Sequence, residues 1–124
     1  MDDLQKDPLT GTVIGAAFEV ANTLGHGFLE GVYQKALFHE LIFQGVHVER
    51  EVPFRVTYKG VNIGVYVADM IVENKLIVEL KAVNADISVP QIVQCLNYLR
   101  ASGLKKGLIV NFGRPRLNFR RVMV

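Results

Sequence analysis

The sequence predicts an α/β fold, a central mixed β-sheet flanked by helices, with its elements in α-α-β-β-β-α-β-β order. Three observations carry this. Two segments with apolar residues at helical spacing open the chain, and each runs into a glycine. A Val-rich middle alternates with a period of two and is cut by two turn signals, Lys59-Gly60 and Glu73-Asn74-Lys75. A third helical stripe then separates the strand-like runs "LIVELKAV" and "KGLIVNF", which calls for a right-handed parallel crossover.

Taken in order, the first helix spans Leu9 to Leu24, with Val13, Ile14, Ala17, Phe18, Ala21 and Leu24 on one stripe and Gly25 as its stop. After the link "GHGF", a second helix runs from about Leu29 to Gln44, with Val32, Ala36, Leu37, Leu41 and Phe43 on its apolar side and Gly45 behind it. "VHVEREVPFRVTY" is the first strand, and Pro53 within it argues for an edge, a bulge or a break. "VNIGVYVADMIV" returns after the Lys59-Gly60 turn, and "LIVELKAV" completes a meander. The third helix covers about Val89 to Ser102 with Ile92, Leu96 and Leu99 inward, and Gly103 ends it. "KGLIVNF" and "RLNFRRVMV" supply two further strands.

A chain of 124 residues fits one domain, residues 1–124. Half of it is hydrophobic and 21% is charged, enough apolar material for a core and for a subunit contact besides. No run reaches the roughly 18–20 apolar residues of a membrane span. "MDDLQKDPLT" lacks a basic stretch followed by an apolar one, so no signal peptide is expected. A single cysteine, Cys95, excludes an internal disulfide and suits a reducing cytoplasm. The net charge is only +2, but its distribution is uneven. Beyond Asp86 the chain has no acid, while Arg100, Lys105, Lys106, Arg114, Arg116, Arg120 and Arg121 follow. Such a segment can attract phosphate, or can be a solvated face balanced by acids elsewhere.

The hairpin "ADMIVENKLIVELKAV" carries Asp69, Glu79 and Lys81 in otherwise apolar strands. Alternation puts Ile77, Glu79, Lys81 and Val83 on one face and Val78, Leu80 and Ala82 on the other. Two carboxylates held together repel unless a cation lies between them, and a hard divalent ion is such a cation. For Asp69 to stand opposite Glu79, the loop must be the odd one, Glu73-Asn74-Lys75, with Asn74 able to take a left-handed conformation. A two-residue turn would send the carboxylates to opposite faces unless a bulge re-aims Asp69. On spacing alone, an ion pair of either acid with Lys81 at a solvent-facing edge is the simpler reading.

Gln91, Gln94 and Tyr98 share a helix stripe, either facing such a site or lying on an exposed face. Glu30 and Tyr33 sit at i,i+3 at the start of the second helix, where a Glu also suits the helix dipole. His26, His39 and His47 show no ligand spacing with each other or with Cys95, so no zinc site is expected, and Cys95 reads as a small core residue. No P-loop, dinucleotide fingerprint or nucleophile elbow is present.

"GFLEGVY", Gly27 to Tyr33, matches a Gly-x-x-Glu-x-x-Tyr signature. Together with "VIGAAFEVANTLGHGFLEGVYQKAL", "YVADMIVENKLIVELKAV", "QCLNYLRASG" and "GLIVNFG", it makes nearly the whole chain similar to the GxxExxY proteins of the PD-(D/E)XK nuclease-like superfamily. The resemblance implies a restriction-endonuclease-like core. It maps the superfamily's Asp onto Asp69, its Glu-x-Lys onto Glu79 and Lys81, the acid of the early helix onto Glu30, and the Gln of the following helix onto Gln94 with Tyr98 close behind. One position departs, since Glu51 stands where the pattern has Gln.

The activity so implied is that of a Mg²⁺- or Mn²⁺-dependent nuclease acting on nucleic acid, DNA first and RNA second. Asp69, Glu79, the Leu80 carbonyl and Glu30 would hold metal, Lys81 would position or activate water, and Gln94 and Tyr98 would orient the site or the phosphate. Lys105, Lys106, Arg114, Arg116, Arg120 and Arg121 would track the nucleic-acid backbone, with affinity falling steeply as salt rises. The alternatives are a non-catalytic module that keeps the fold and binds nucleic acid or protein, and an assembly subunit whose apolar excess builds a homodimer. A homodimer is also the expected way for so small a domain to engage a duplex.

Overall fold

The computed structural model describes residues 7–124. Asp7 starts the first helix, α1 (Pro8–Leu24), because its carboxylate accepts from the Thr10 amide at 2.9 Å and the Thr10 hydroxyl at 2.6 Å while Pro8 needs no partner for an amide it lacks. Helix α2 (Glu30–Phe43) follows the glycine link, and strands β1 (Val48–Tyr58), β2 (Val61–Val72) and β3 (Leu76–Lys81) form the meander. Helix α3 (Val89–Ser102) then leads to β4 (Lys106–Asn111) and β5 (Asn118–Met123). The sheet order is β1-β2-β3-β4-β5, antiparallel throughout except for the parallel pair β3–β4 that α3 joins. The predicted element order and mixed sheet are those observed, and Pro53 lies on the edge strand β1.

Each face of the sheet has its own core. Leu76, Val78 and Leu80 of β3, with Leu108 and Val110 of β4, pack against Val13, Leu37 and Leu41 of α1 and α2. Ile77 and Ile109 point the other way, to Cys95 and Leu99 of α3. Burial on both faces is why "LIVELK" and "GLIVNF" read as nearly continuous apolar runs. Helix α3 begins with a capping box: Ser88 accepts from the Gln91 amide, and the Gln91 side chain accepts from the Ser88 amide. Gln91 is thereby committed to its own helix rather than to the stripe shared with Gln94 and Tyr98.

The alternation inverts in β1 and β2 together midway along the pair, and β2 alone slips by one residue nearer its start, where Val56 pairs Gly64 but Thr57 pairs Asn62. Val48, Met70 and Val72 enter the α1/α2 core, while Val52, Phe54, Val56, Tyr66 and Ala68 enter the α3 core, although all eight positions are even-numbered. The inversion falls at Glu51 and Asp69. Arg50 pairs Met70 and Val52 pairs Ala68, but the rung between them is missing, and Glu51 has a left-handed backbone with φ 54°. This switch re-aims Asp69 at β3.

Lys106 donates to Asp7 at 2.6 Å and ties the N-terminus of α1 to β4. Burial acts to raise the Asp7 carboxyl, but the hydrogen bonds from Lys106 and from the Thr10 side chain and amide together leave it below its ordinary value. We expect Asp7→Ala to destabilise the fold by about 1–2 kcal/mol, read as a lower urea midpoint at unchanged slope. A depressed folded value means this contribution is complete above the ordinary pKa of about 3.9 and is lost as pH falls through the folded value, so the variant closes on wild type in acid.

Candidate active site

The loop between β2 and β3 has three residues, Glu73-Asn74-Lys75, with Val72 paired to Leu76 and both Glu73 and Asn74 left-handed at φ 53° and 56°. This is the odd loop the carboxylate pair demands. The β2–β3 ladder runs from Val72–Leu76 to Met70–Val78 and stops there. Continued, it would set Ala68 opposite Leu80. Instead the Asp69 side chain takes that place, accepting the Leu80 amide at 2.8 Å. Asp69 is near enough for its charge to raise the Glu79 carboxyl.

Glu79 is buried on the α3 side of β3. The Tyr66 hydroxyl donates to it, and the Tyr66 ring stacks on Tyr98 with planes 11° apart. Burial pushes the Glu79 carboxyl up to about 8; Asp69 adds to the rise, and the Tyr66 hydroxyl and Lys81 oppose it. Glu30 is the first residue of α2. Its carboxyl is raised by partial burial and by Asp69, against Lys81. Tyr98 is raised by burial and then by Glu79 and Asp69. Burial and Glu79 push the Cys95 thiol up to about 12, which leaves it an inert core residue.

The fold thus brings Glu30, Asp69, Glu79, Lys81 and Tyr98 to one place. Leu80 adds its backbone there, and its side chain goes to the α1/α2 core. Gln94 is exposed on α3, one turn before Tyr98, and makes no side-chain hydrogen bond among the described residues. Among the described residues no group of three His, Cys, Asp or Glu is close enough to hold a metal ion.

The basic segment divides. Lys106 pairs with Leu76, so Lys105 and Lys106 lie at the end of the sheet away from Lys81, and Lys106 is already engaged by Asp7. Arg114 and Arg116 lie in the β4–β5 loop, at the end where Lys81 pairs with Asn111. Arg114 is paired with Asp86, while Arg116 lines with it a depression of about 350 Å³. Arg120 is exposed in the row Glu79–Ile109–Arg120, and Arg121 lies over the Phe119 ring at 5.4 Å.

Two residues beyond the expected catalytic set support it, one of them the tyrosine of the Gly-x-x-Glu-x-x-Tyr signature. Tyr66 is one; the signal in the sequence is a hydroxyl on an inward position of β2, three residues before Asp69. Tyr33 is the other. It is fully buried, stacks on Phe112 at 4.7 Å, donates to the Gly25 carbonyl at 2.7 Å and accepts from the Phe28 amide at 3.2 Å. Phe112 in turn donates its amide to the Lys81 carbonyl at 2.8 Å. Tyr33 therefore ties the link that delivers Glu30 to the strand end that carries Lys81. We expect Tyr33→Phe to keep the stack, destabilise by about 1–2 kcal/mol and speed hydrogen exchange at the Phe28 amide, measured by NMR.

A five-stranded mixed sheet with two helices on one face and one on the other, in this order, is a restriction-endonuclease-like fold. The chain belongs to the PD-(D/E)XK nuclease superfamily, whose family model matches residues 7–122. A crystal structure of SSO0001 is similar with a TM-score of 0.57 and 22% sequence identity, over 75% of this chain and 48% of that one. The chain thus spans about half the length of that protein, and the likeness is one of fold. A search of curated proteins found no match. No helix among the described residues is long and apolar enough to cross a membrane.

Proposed function

We propose that the chain is a metal-dependent phosphodiesterase that cleaves nucleic acid, DNA before RNA. The observation that carries this reading is the pair Asp69–Glu79, neighbours at a partly buried site, with Lys81 two residues beyond Glu79 on the same strand. Such a pair suits a hard divalent ion. Without one, the burial and the Asp69 charge that raise Glu79 are unrelieved, and the Leu80 carbonyl and Glu30 would supply further oxygens to a bound ion. Mg²⁺ or Mn²⁺ bound there would supply Lewis-acid stabilisation of charge on the phosphate.

The chain's own residues do the rest. Tyr66 holds Glu79 in place through its hydroxyl, and the Leu80 amide holds Asp69. Lys81 Nζ positions the attacking water or stabilises charge on the phosphate, and Tyr98, fixed by its stack on Tyr66, orients the phosphate with Gln94 from the same helix. Arg114, Arg116 and Arg120, at the Lys81 end or on the edge strand beside it, contact backbone phosphates; Lys105, Lys106 and Arg121 contribute less, being remote or engaged.

A second reading is a binding module that keeps the fold without the reaction. The lack of a three-ligand cluster among the described residues favours it. Cleavage of single- and double-stranded DNA and RNA with Mg²⁺ or Mn²⁺, beside Glu79→Ala and Lys81→Ala, separates the two. Cleavage lost in both variants supports the enzyme. Cleavage unchanged in both, or absent from wild type that still binds nucleic acid, supports the module.

A further inference from the structure

The segment that delivers Glu30 is apolar where it meets water. In "GHGFLEGVY", Phe28, Leu29 and Val32 are exposed by 50, 83 and 41%. Leu29 is the N-cap of α2 and gives its helix no side-chain hydrogen bond, at a position that favours Ser, Thr, Asp or Asn. A bulky apolar residue there serves neither the helix nor the core. Phe28 is held in place. Its amide donates to the Tyr33 hydroxyl at 3.2 Å, and its ring meets the Tyr33 ring edge-on with centroids 6.1 Å apart. Tyr33 stacks on Phe112, whose amide donates to the Lys81 carbonyl. A series of three rings therefore runs from the strand end that carries Lys81 to the half-exposed ring of Phe28. Glu30, two residues on, is close enough for Asp69 and Lys81 to act on its carboxyl. Just beyond Phe112, the β4–β5 loop brings Arg114 and Arg116 to the same end of the sheet.

We propose that Phe28 is a stacking platform for an unpaired base, so that the substrate of the site is single-stranded nucleic acid. The inference rests on the phosphodiesterase reading for where the cleaved phosphate lies, and adds the form of strand that reaches it. A base inside a duplex hides both faces in its own stack, and only an unpaired one offers a face to the ring. Leu29, beside it in sequence and still more exposed, adds apolar contact that a duplex backbone has no use for. The size of the patch argues against a protein partner. Three side chains so exposed offer roughly 300 Å², against the about 800 Å² that each partner gives to a standard interface. Charge agrees with a strand. Unpaired strands are held by aromatic rings set among cations that follow the phosphates, and Lys81, Arg114 and Arg116 share this end of the sheet. Phe43 supplies a contrast, since it is 80% exposed but ends α2, about 20 Å from Glu30 at 1.5 Å per residue.

Equilibrium binding with Ca²⁺ in place of Mg²⁺ tests this apart from cleavage. The probe is a short DNA strand carrying 2-aminopurine, whose fluorescence is quenched on stacking, used alone and annealed to its complement. Wild type is expected to bind the single strand about tenfold or more tighter than the duplex and to quench it. Phe28→Leu keeps an apolar side chain but has no π-face, and weakens single-strand binding by about tenfold while leaving the duplex unchanged. Phe28→Trp restores the face and keeps the affinity, so a loss in Phe28→Leu through packing on Tyr33 alone is told apart. Phe43→Leu leaves binding unchanged. The same strand made as RNA is a second arm, and the one that loses more on Phe28→Leu is the substrate class. Equal affinity for strand and duplex overturns the proposal, as does single-strand binding indifferent to Phe28→Leu or lost in Phe28→Trp. Cleavage of single strands with Mn²⁺ by a protein indifferent to Phe28→Leu retires the platform and keeps the nuclease. Quenching by Phe28 with no cleavage keeps the platform and retires the nuclease.

Discussion

Glu79→Gln is expected to lower nuclease activity by about 10²–10³-fold while making the metal-free protein more stable above neutral pH. The two effects have one cause. Glutamine matches glutamate in shape and keeps an oxygen to accept the Tyr66 hydroxyl, but it removes the charge that a cation needs and that burial penalises. The Glu79 carboxyl rises from its ordinary 4.5 to about 8. A folded state that holds a proton more tightly than the unfolded state loses stability as pH climbs between those values, and the loss is complete above about 8. Urea midpoints of metal-free wild type should therefore fall from pH 5 to 8, and those of Glu79→Gln should fall less. Mn²⁺ should raise the wild-type midpoint at pH 8 and leave the variant's unchanged. Equal activity in the two proteins, or equal pH profiles of stability, would remove Glu79 from the proposed role.

Asn111→Ala is expected to destabilise the fold by about 3–5 kcal/mol, a large part of the stability of a domain this size. Asn111 is fully buried and uses every hydrogen-bonding position it has. Its carbonyl oxygen accepts from the Val83 and Gly113 amides, each at 3.0 Å, and its amide donates to the Val83 and Ala85 carbonyls at 2.9 and 2.7 Å. Alanine would leave the Val83 and Gly113 amides and the Val83 and Ala85 carbonyls without those partners. The segment cannot shift to find others easily, because the Ala82–Val83 backbone packs directly on Gly113, where any Cβ would overlap it. The clamp fixes the chain as it leaves Lys81, so activity should fall along with stability. A urea midpoint within error of wild type would refute this reading of Asn111.

What the sequence alone determined is what lies within one element or one turn. Helical stripes, their glycine stops and the period-two strands follow from local sterics and burial, and they placed α3 at its observed ends, Val89–Ser102. The length of "ENK" determined the register of the hairpin, from Val72–Leu76 to Met70–Val78, because an odd loop sets these residues opposite one another. The same local logic made the carboxylate pair legible as a candidate site.

The tertiary structure decided what depends on partners far along the chain. Tyr66 meets Glu79 across 13 positions and Asn111 meets Val83 across 28, and no periodicity encodes either contact. The inversion at Glu51 that aims Asp69 at Leu80 needs two strands to change phase together. The acid-free C-terminal third looked like one basic surface, yet sheet order sends Lys105 and Lys106 to one end and Arg114 and Arg116 to the other, and gives Lys106 and Arg114 acidic partners from Asp7 and Asp86. Charge along a sequence is one-dimensional. Which charges share a field is set by the distances that folding imposes.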